Sequence, residues 1–170
     1  MIFVRTFLLM SLSLSRCFSA DCSSVLPKGV TLPIGWRVVS LVDLPKDDRE
    51  LWEREHGGQC PGAVVGKLTG DGRVSYALAL LQNGPGGKML EQLVVMFSAG
   101  RQFSRITLVK PTAVISPFVV WVAPPGKYSG VDGTPPVRIP HDSFVYEKME
   151  ATARQFFYRN GGFRSLLTAE

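Results

Sequence analysis

The chain has 170 residues and a formal charge of +5, from 19 lysines and arginines against 14 aspartates and glutamates. That excess is small and scattered, which argues against a nucleic-acid binder, because phosphates demand a concentrated basic stripe. The length suits one domain with a substantial core.

At the N-terminus Arg5 precedes the apolar run Phe7 to Leu14, and small residues follow near Cys17, Ser19 and Ala20. This order of basic, apolar and small segments reads as a signal peptide over residues 1–20, with an apolar part too short for a permanent membrane helix. A single secreted β-rich domain over 21–170 would remain, in the periplasm or outside the cell, with no transmembrane segment after cleavage. Removing the leader takes away Arg5 and Arg16 and lowers the formal charge to +3. Arg16 before Cys17 and Asp21 before Cys22 argue against lipid attachment. Cys17 leaves with the leader, so Cys22 and Cys60 are expected to form a disulfide in an oxidising compartment. Its closure of a long loop is worth roughly 3 to 4 kcal/mol by chain entropy. The competing reading makes Cys60 a nucleophile, with His56 four residues upstream.

Trp36 to Val42 reads as a short strand. The segment Asp47 to Gly58 then reads as a helix, with acids in its first turn and glycines past its end. Leu51 and Trp52 are its core anchors, and Glu53 and Glu55 belong to its charged surface. The stretch from Cys60 to Leu78 has the frame of a calcium loop, in which oxygen ligands alternate and glycines allow the tight turn. Its ligand positions read Lys67, Thr69, Asp71 and Ser75. An ammonium where an anion belongs makes this a turn and not a metal site.

Val74, Tyr76, Leu78 and Leu80 alternate with Ser75, Ala77 and Ala79, so one face of this strand is bulky and the other is small enough to receive the helix. Further strands are expected over 91–98, 103–110 and 117–123, the first and last apolar on both faces and so near the middle of a sheet. Gly84 to Gly87 lacks the lysine and hydroxyl of a phosphate loop and reads as a hairpin connection. Residues 123–140 show no periodicity. Lys127, Tyr128 and Asp132 in this stretch, with His141 after it, form a candidate binding loop.

Residues 143–156 are open between helix and strand. Val145, Met149, Ala153 and Phe156 fit a helical stripe, while Phe144 to Tyr146 and Phe156 to Tyr158 favour strands. An Asn160-Gly161 turn would set Tyr158 opposite Phe163, whereas a turn one residue later would set Arg159 opposite Arg164. Aromatic pairing selects the first register.

Cys60-Pro61-Gly62, Gly70-Asp71-Gly72, Tyr76-Ala77-Leu78 and the ending Phe156 to Arg164 resemble a group of small, uncharacterised secreted bacterial proteins. Those proteins carry a degenerate FG-GAP-like turn, similar to the repeats of integrin-type propellers. Lys67 and Ser75 depart from the carboxylates that this group often keeps. A chain of this length is too short for a complete propeller. The fold class expected is α+β, mainly β: an antiparallel sheet of about six to eight strands, one short helix over 47–56 packed on it, and a C-terminal β-hairpin.

No nucleophile elbow, zinc motif or dinucleotide fingerprint is present, and no cofactor is expected. Three functions compete. The first is an exported, non-catalytic binding or inhibitor-like domain for an unknown protein or envelope component. The second is a cell-envelope hydrolase using His141 or His56 with a carboxylate such as Asp71 or Glu147, or with Cys60. In His141-Asp142-Ser143 itself the adjacent side chains of an extended chain point to opposite sides and cannot converge. The third is a calcium-stabilised structural domain.

Overall fold

The computed structural model describes residues 22–27, 30–99, 102–131, 133 and 135–169, with the side chains of residues 23, 99 and 102 left aside. The leader expected over residues 1–20 and the candidate residue Asp132 lie outside the described residues. Strands β1 (Arg37–Val38), β2 (Ala63–Gly66), β3 (Ser75–Asn83), β4 (Met89–Ala99) and β5 (Gln102–Val114) form one antiparallel sheet. Strands β6 (Val119–Ala123), β9 (Ser143–Glu147), β10 (Ala153–Arg159) and β11 (Gly162–Ala169) form a second, in the order β11-β10-β9-β6. Strands β7 (Gly126–Tyr128) and β8 (Val137–Ile139) pair as a ribbon. The one α-helix among the described residues, α1 (Lys46–His56), begins at Lys46 just after Pro45 and closes at Gly57, which adopts a positive φ of 60°. The architecture is thus mainly β with one helix and a C-terminal strand pair, and its strands divide between two sheets.

The alternation along β3 decides how those sheets are covered. Its small face, Ala77 and Ala79 with Leu81, joins Leu93 and Val95 of β4 in one core with Trp52 of α1, Val119 and Val120 of β6, Phe144 and Tyr146 of β9, and Phe156 of β10. Small residues let the helix and the second sheet come close. Trp52 is fully buried, and its indole N–H donates to the Gln59 carbonyl at 2.9 Å. The bulky face, Leu78 and Leu80 with Val94 and Met96, packs against Cys22, Val38, Cys60 and Ala63, and through them against Leu26, Val30, Leu32 and Trp36. The central sheet is therefore apolar on both faces. The second cover is the segment that precedes β1, and the Cys22–Cys60 disulfide fastens its start to the β2 region.

Gly62 makes the edge of β3 workable. The Val39 N–H donates to Ala79 O at 3.0 Å and the Ala79 N–H donates to Gly62 O at 2.9 Å, so the Val39 segment and the β2 segment converge on one stretch of β3. A Cβ on Gly62 would lie 2.3 Å from the Val39 carbonyl oxygen. Only glycine permits that approach.

Four segments differ from their sequence reading. The strand over 117–123, expected near the middle of a sheet, is β6 and ends the second one. The strand expected over Trp36 to Val42 stops after Val38 because the chain turns into a single 3-10 turn over Leu41–Asp43. There the Asp43 carboxylate accepts from the Ser40 N–H, the Ser40 hydroxyl and Arg37. The stretch expected to lack periodicity, 123–140, holds the β7–β8 ribbon. Ile139 and Tyr128 of that ribbon pack on Phe157 and Leu166, on the outer face of the second sheet. The ambiguous segment 143–156 is β9, a turn and β10, not a helix. Lys148 N–H donates to Thr152 O at 2.8 Å across that turn, with Glu150 at a φ of 55°.

The C-terminal hairpin takes the register chosen on aromatic pairing, with Tyr158 opposite Phe163 and Arg159 opposite Gly162. Asn160 and Gly161 both have positive φ, 52° and 80°, as a two-residue primed turn requires. The rings of Tyr158 and Phe163 meet edge to face at 5.3 Å.

The disulfide spans 38 residues of sequence, for which loop closure gives about 4 kcal/mol. Replacing Cys22 and Cys60 together by serine is expected to lower the unfolding free energy by roughly 3 to 4 kcal/mol. Urea denaturation of residues 21–170 reads this directly. A loss below about 1 kcal/mol would mean that the N-terminal cover holds without its tether.

Candidate functional site: a cleft where the two sheets part

Glu91 stands on β4 opposite Leu81, with Leu93 and Val95 following on the same face opposite Ala79 and Ala77. It is an acid on the inner face of a sandwich, 1% exposed. Two donors meet it there. The Tyr146 hydroxyl of β9 donates to Oε1 at 2.6 Å, and the Phe118 N–H, just before β6, donates to Oε2 at 3.0 Å. Burial pushes the Glu91 carboxyl up to about 7, and the hydrogen bonds from Tyr146 and Phe118 only partly oppose it. The same burial, together with the neighbouring carboxylate, raises the Tyr146 phenol above its ordinary range. Phe118 stacks on the Tyr146 ring at 4.5 Å.

Beside this pair the sandwich opens. Val109 of β5, Phe118, Tyr146, Thr152 and Arg154 line a cleft of about 210 Å³. Arg154 lies directly opposite Tyr146 in the β9–β10 register, and Phe156, two residues on, lies opposite Phe144. Arg154 thus stands on the face that is core elsewhere along β10. Its side chain is exposed and forms no ion pair or hydrogen bond among the described residues. A second hollow of about 310 Å³ lies beside the disulfide, lined by Val25, Gly58 to Cys60, Ala63 to Val65 and Val122. It is wider but carries no charged side chain. The smaller cleft offers more specific chemistry, because it combines apolar walls with one fixed charge.

The residues singled out from sequence are distributed elsewhere. In the turn after β2, Asp71 accepts from the Thr69 hydroxyl at 2.8 Å, from the Arg73 N–H at 3.0 Å and from Arg73 Nε at 2.7 Å. Arg73 also donates to the Ser98 carbonyl at 3.0 Å. A guanidinium from the same turn occupies the place beside the carboxylate that a cation would take. Its hydrogen bonds hold the Asp71 carboxyl well below the usual range. Among the described residues no group of three or more His, Cys, Asp or Glu side chains gathers as a metal would need.

His141 lies against this turn. Its Nδ1 faces the Asp142 carbonyl at 2.9 Å and its Nε2 faces the Tyr158 carbonyl at 3.0 Å. A Cβ on Gly70 would lie 2.6 Å from the ring. The Lys67 N–H donates to Asp142 Oδ2 at 3.0 Å, so His141 and Asp142 together clamp the turn to the second sheet. Lys127 and Tyr128 sit on β7, with Lys127 opposite Arg138 and the Tyr128 hydroxyl donating to the Pro124 carbonyl. Among the described residues no hydrogen bond or ring contact joins them to His141.

His56 stacks on Trp52 at 4.0 Å and lies 5.9 Å from Trp121, whose indole N–H donates to Glu147 Oε2 at 2.8 Å. Burial lowers the His56 pKa, against the pull of Glu55 and Glu147. Cys60 is bonded to Cys22 and is not a free thiol.

Sequence reasoning missed Glu91, Tyr146 and Arg154. A signal for the first was present, because Glu91 shares the period-two face of Leu93 and Val95 and so must be buried if they are. Arg154 carried the same signal relative to Phe156, once β10 is recognised as a strand.

Two outcomes follow from these geometries. The folded chain keeps the Glu91 proton up to about pH 7, while the unfolded chain releases it near 4.5. Folding therefore takes up a proton between those values, and stability falls as the pH rises through that window and levels off above it. The decline attributable to Glu91 is roughly 3 kcal/mol. Comparison of urea unfolding of the wild type and Glu91→Gln from pH 4.5 to 8 should show that part of the slope vanish in the variant. Parallel pH profiles for the two proteins would refute a buried, proton-holding Glu91. Second, because Arg73 already fills the cation place at Asp71, melting temperatures in millimolar calcium and in chelator should coincide by calorimetry; a clear rise in calcium would mean that the turn binds the ion selectively in the folded state.

Comparison with known proteins leaves the cleft as the guide to function, since no family model, curated protein or solved structure matches the chain.

Proposed function

We propose that this chain is an exported, non-catalytic binding domain whose site is the cleft of Val109, Phe118, Tyr146, Thr152 and Arg154. The observation that carries this reading is Arg154, a charged side chain on a core-facing register position, without a partner and beside an apolar hollow. Exposed at the rim of that hollow, its guanidinium is placed to hold an anionic group of a bound molecule.

Export is supported by the basic, apolar and small order of residues 1–20 and by the Cys22–Cys60 disulfide, which persists in oxidising compartments. No helix among the described residues is long and apolar enough to cross a membrane. The likeness of the Gly70-Asp71-Gly72 turn to that of small secreted bacterial proteins is in keeping with this reading.

The cleft supports binding without turnover because its titratable groups satisfy one another. Glu91 is sealed behind Tyr146 and does not line the cleft, and the Tyr146 hydroxyl is spent on its Oε1, which leaves neither placed to move a proton on a bound molecule. Neither His56 nor His141 lines it.

A neutral, single-ring solvatochromic dye such as 4-(dimethylamino)benzonitrile, titrated into the mature protein, tests the site. Saturable fluorescence enhancement is expected. Val109→Trp, which fills the hollow, should weaken it at least about tenfold while the circular dichroism spectrum and melting temperature stay close to those of the wild type. Undiminished dye binding in a folded Val109→Trp protein, or no saturable binding to the wild type, would overturn the assignment.

A further inference from the structure

The identity of the walls, the volume and the charge together narrow what the cleft accepts. Resting on the binding reading above, we infer that its ligand is a free small apolar acid, one aromatic ring or a short branched acyl group bearing a single carboxylate, with the carboxylate held by the Arg154 guanidinium.

Size sets the first limit. The hollow holds about 210 Å³, below the range of drug-sized sites and somewhat above an engineered cavity that accepts benzene. One ring or a short acyl chain fills it. The Tyr146 and Phe118 rings form a stacked wall at 4.5 Å, and Val109 faces them from the other sheet. Flat aromatic walls favour an aryl or branched apolar group.

Charge sets the second. A guanidinium remains charged at every relevant pH and presents a fork that matches a carboxylate in two parallel hydrogen bonds. The surroundings hold no opposing charge. No acidic side chain lines the cleft, and from residue 92 to residue 131 the chain contains no aspartate or glutamate. Of the nearby acids, Glu91 is sealed behind Tyr146, Glu147 accepts from Trp121, and the exposed Glu150 does not line the cleft. An ammonium or guanidinium ligand would meet the Arg154 charge with no anion in the lining to receive it.

The neighbouring strand argues against the end of an extended peptide as the source of that carboxylate. β5 is an edge of its sheet and could in principle receive another strand. Next to the cleft, however, its pairing with β4 shifts register on either side of Leu93, which pairs with Val109, and Pro111 two residues on has no N–H to donate. A peptide cannot carry a regular ladder past the point where its last side chain would enter. A free acid needs no ladder.

The test uses the mature, disulfide-bonded protein with the neutral dye as reporter. Phenylacetate should displace the dye at concentrations at least tenfold lower than phenylacetamide, its uncharged counterpart, and phenethylammonium should be the weakest competitor. In Arg154→Gln, with competition referred to the dye affinity measured for that variant, the advantage of phenylacetate over phenylacetamide should disappear, and Arg154→Lys should restore part of the advantage. Equal competition by phenylacetate and phenylacetamide in the wild type, or an undiminished preference in Arg154→Gln, would overturn the inference while leaving the binding reading intact. Loss of dye binding to the wild type itself would instead defeat the binding reading. A tetrapeptide ending in phenylalanine that competes tenfold better than phenylacetate would also overturn the inference, by assigning the site to a chain end.

Discussion

The fold depends on one constraint: the β3–β4 pair is apolar on both faces, so it has to be covered twice. Leu78, Leu80, Val94 and Met96 point one way, and Ala77, Ala79, Leu93 and Val95 point the other. An antiparallel sheet commonly leaves one face to water, and this one does not. One cover is the second sheet with α1. The other is the segment before β1, whose described residues between Cys22 and Trp36 form a 3-10 turn at the start and no strand, and whose hold comes from apolar contact and one covalent tie. Such a segment loses much conformational entropy on docking for few backbone hydrogen bonds. The disulfide belongs where it is because it reduces that loss before docking begins.

Between the sheets the constraint is of another kind. Two apolar surfaces packed face to face can slide, because dispersion and burial have little directional preference. The Tyr146 to Glu91 hydrogen bond, with the Phe118 N–H on the second oxygen, is directional and fixes how β9 sits over β4. It costs the desolvation of a carboxyl group, which is why Glu91 keeps its proton so far above the ordinary glutamate range. That cost makes the contact poor support for stability and better support for one specific arrangement of the two sheets. Truncating either partner would leave the other buried and unsatisfied, the more damaging half of the exchange.

How much of this was legible follows the period of the side chains. The helix over Lys46–His56, the alternating strand through Leu78, the disulfide pair and the Tyr158–Phe163 register all rest on interactions local in sequence or on simple parity, and they were readable. The fate of 143–156 was not. Val145, Met149, Ala153 and Phe156 match a helical spacing by coincidence, and only the ladder to β6, β9 and β11 makes the extended form the better one. β6 misled in a similar way. It is apolar enough for a central strand yet ends its sheet, because the Val120 N–H donates to Pro61 O at 2.7 Å and ties it to the first sheet. Residues 123–140 hid a ribbon whose strands are three residues each, too short for periodicity to register. Of the candidate loop residues, Lys127 and Tyr128 belong to that ribbon and His141 to the clamp on the Gly70 turn. The cleft was invisible because it is made where two sheets part, by residues 109, 118, 146, 152 and 154, and nothing local joins them.

The cleft itself is a consequence of one residue type at one register position. Along β10 the inner face passes from Phe156, packed in stacked contact with Phe144 at 5.5 Å, to Arg154 opposite Tyr146. A leucine there would continue the core, fill the space below Val109 and close the sandwich to water. An arginine cannot do so, because its guanidinium must stay hydrated or paired and its stem alone covers the adjoining apolar surface. The sheets therefore close around the aromatic cluster and remain apart one residue pair further on. The apolar hollow and its positive mouth are thus not two features that happen to coincide. The charge that would attract an anion is also the reason the space for its apolar body exists.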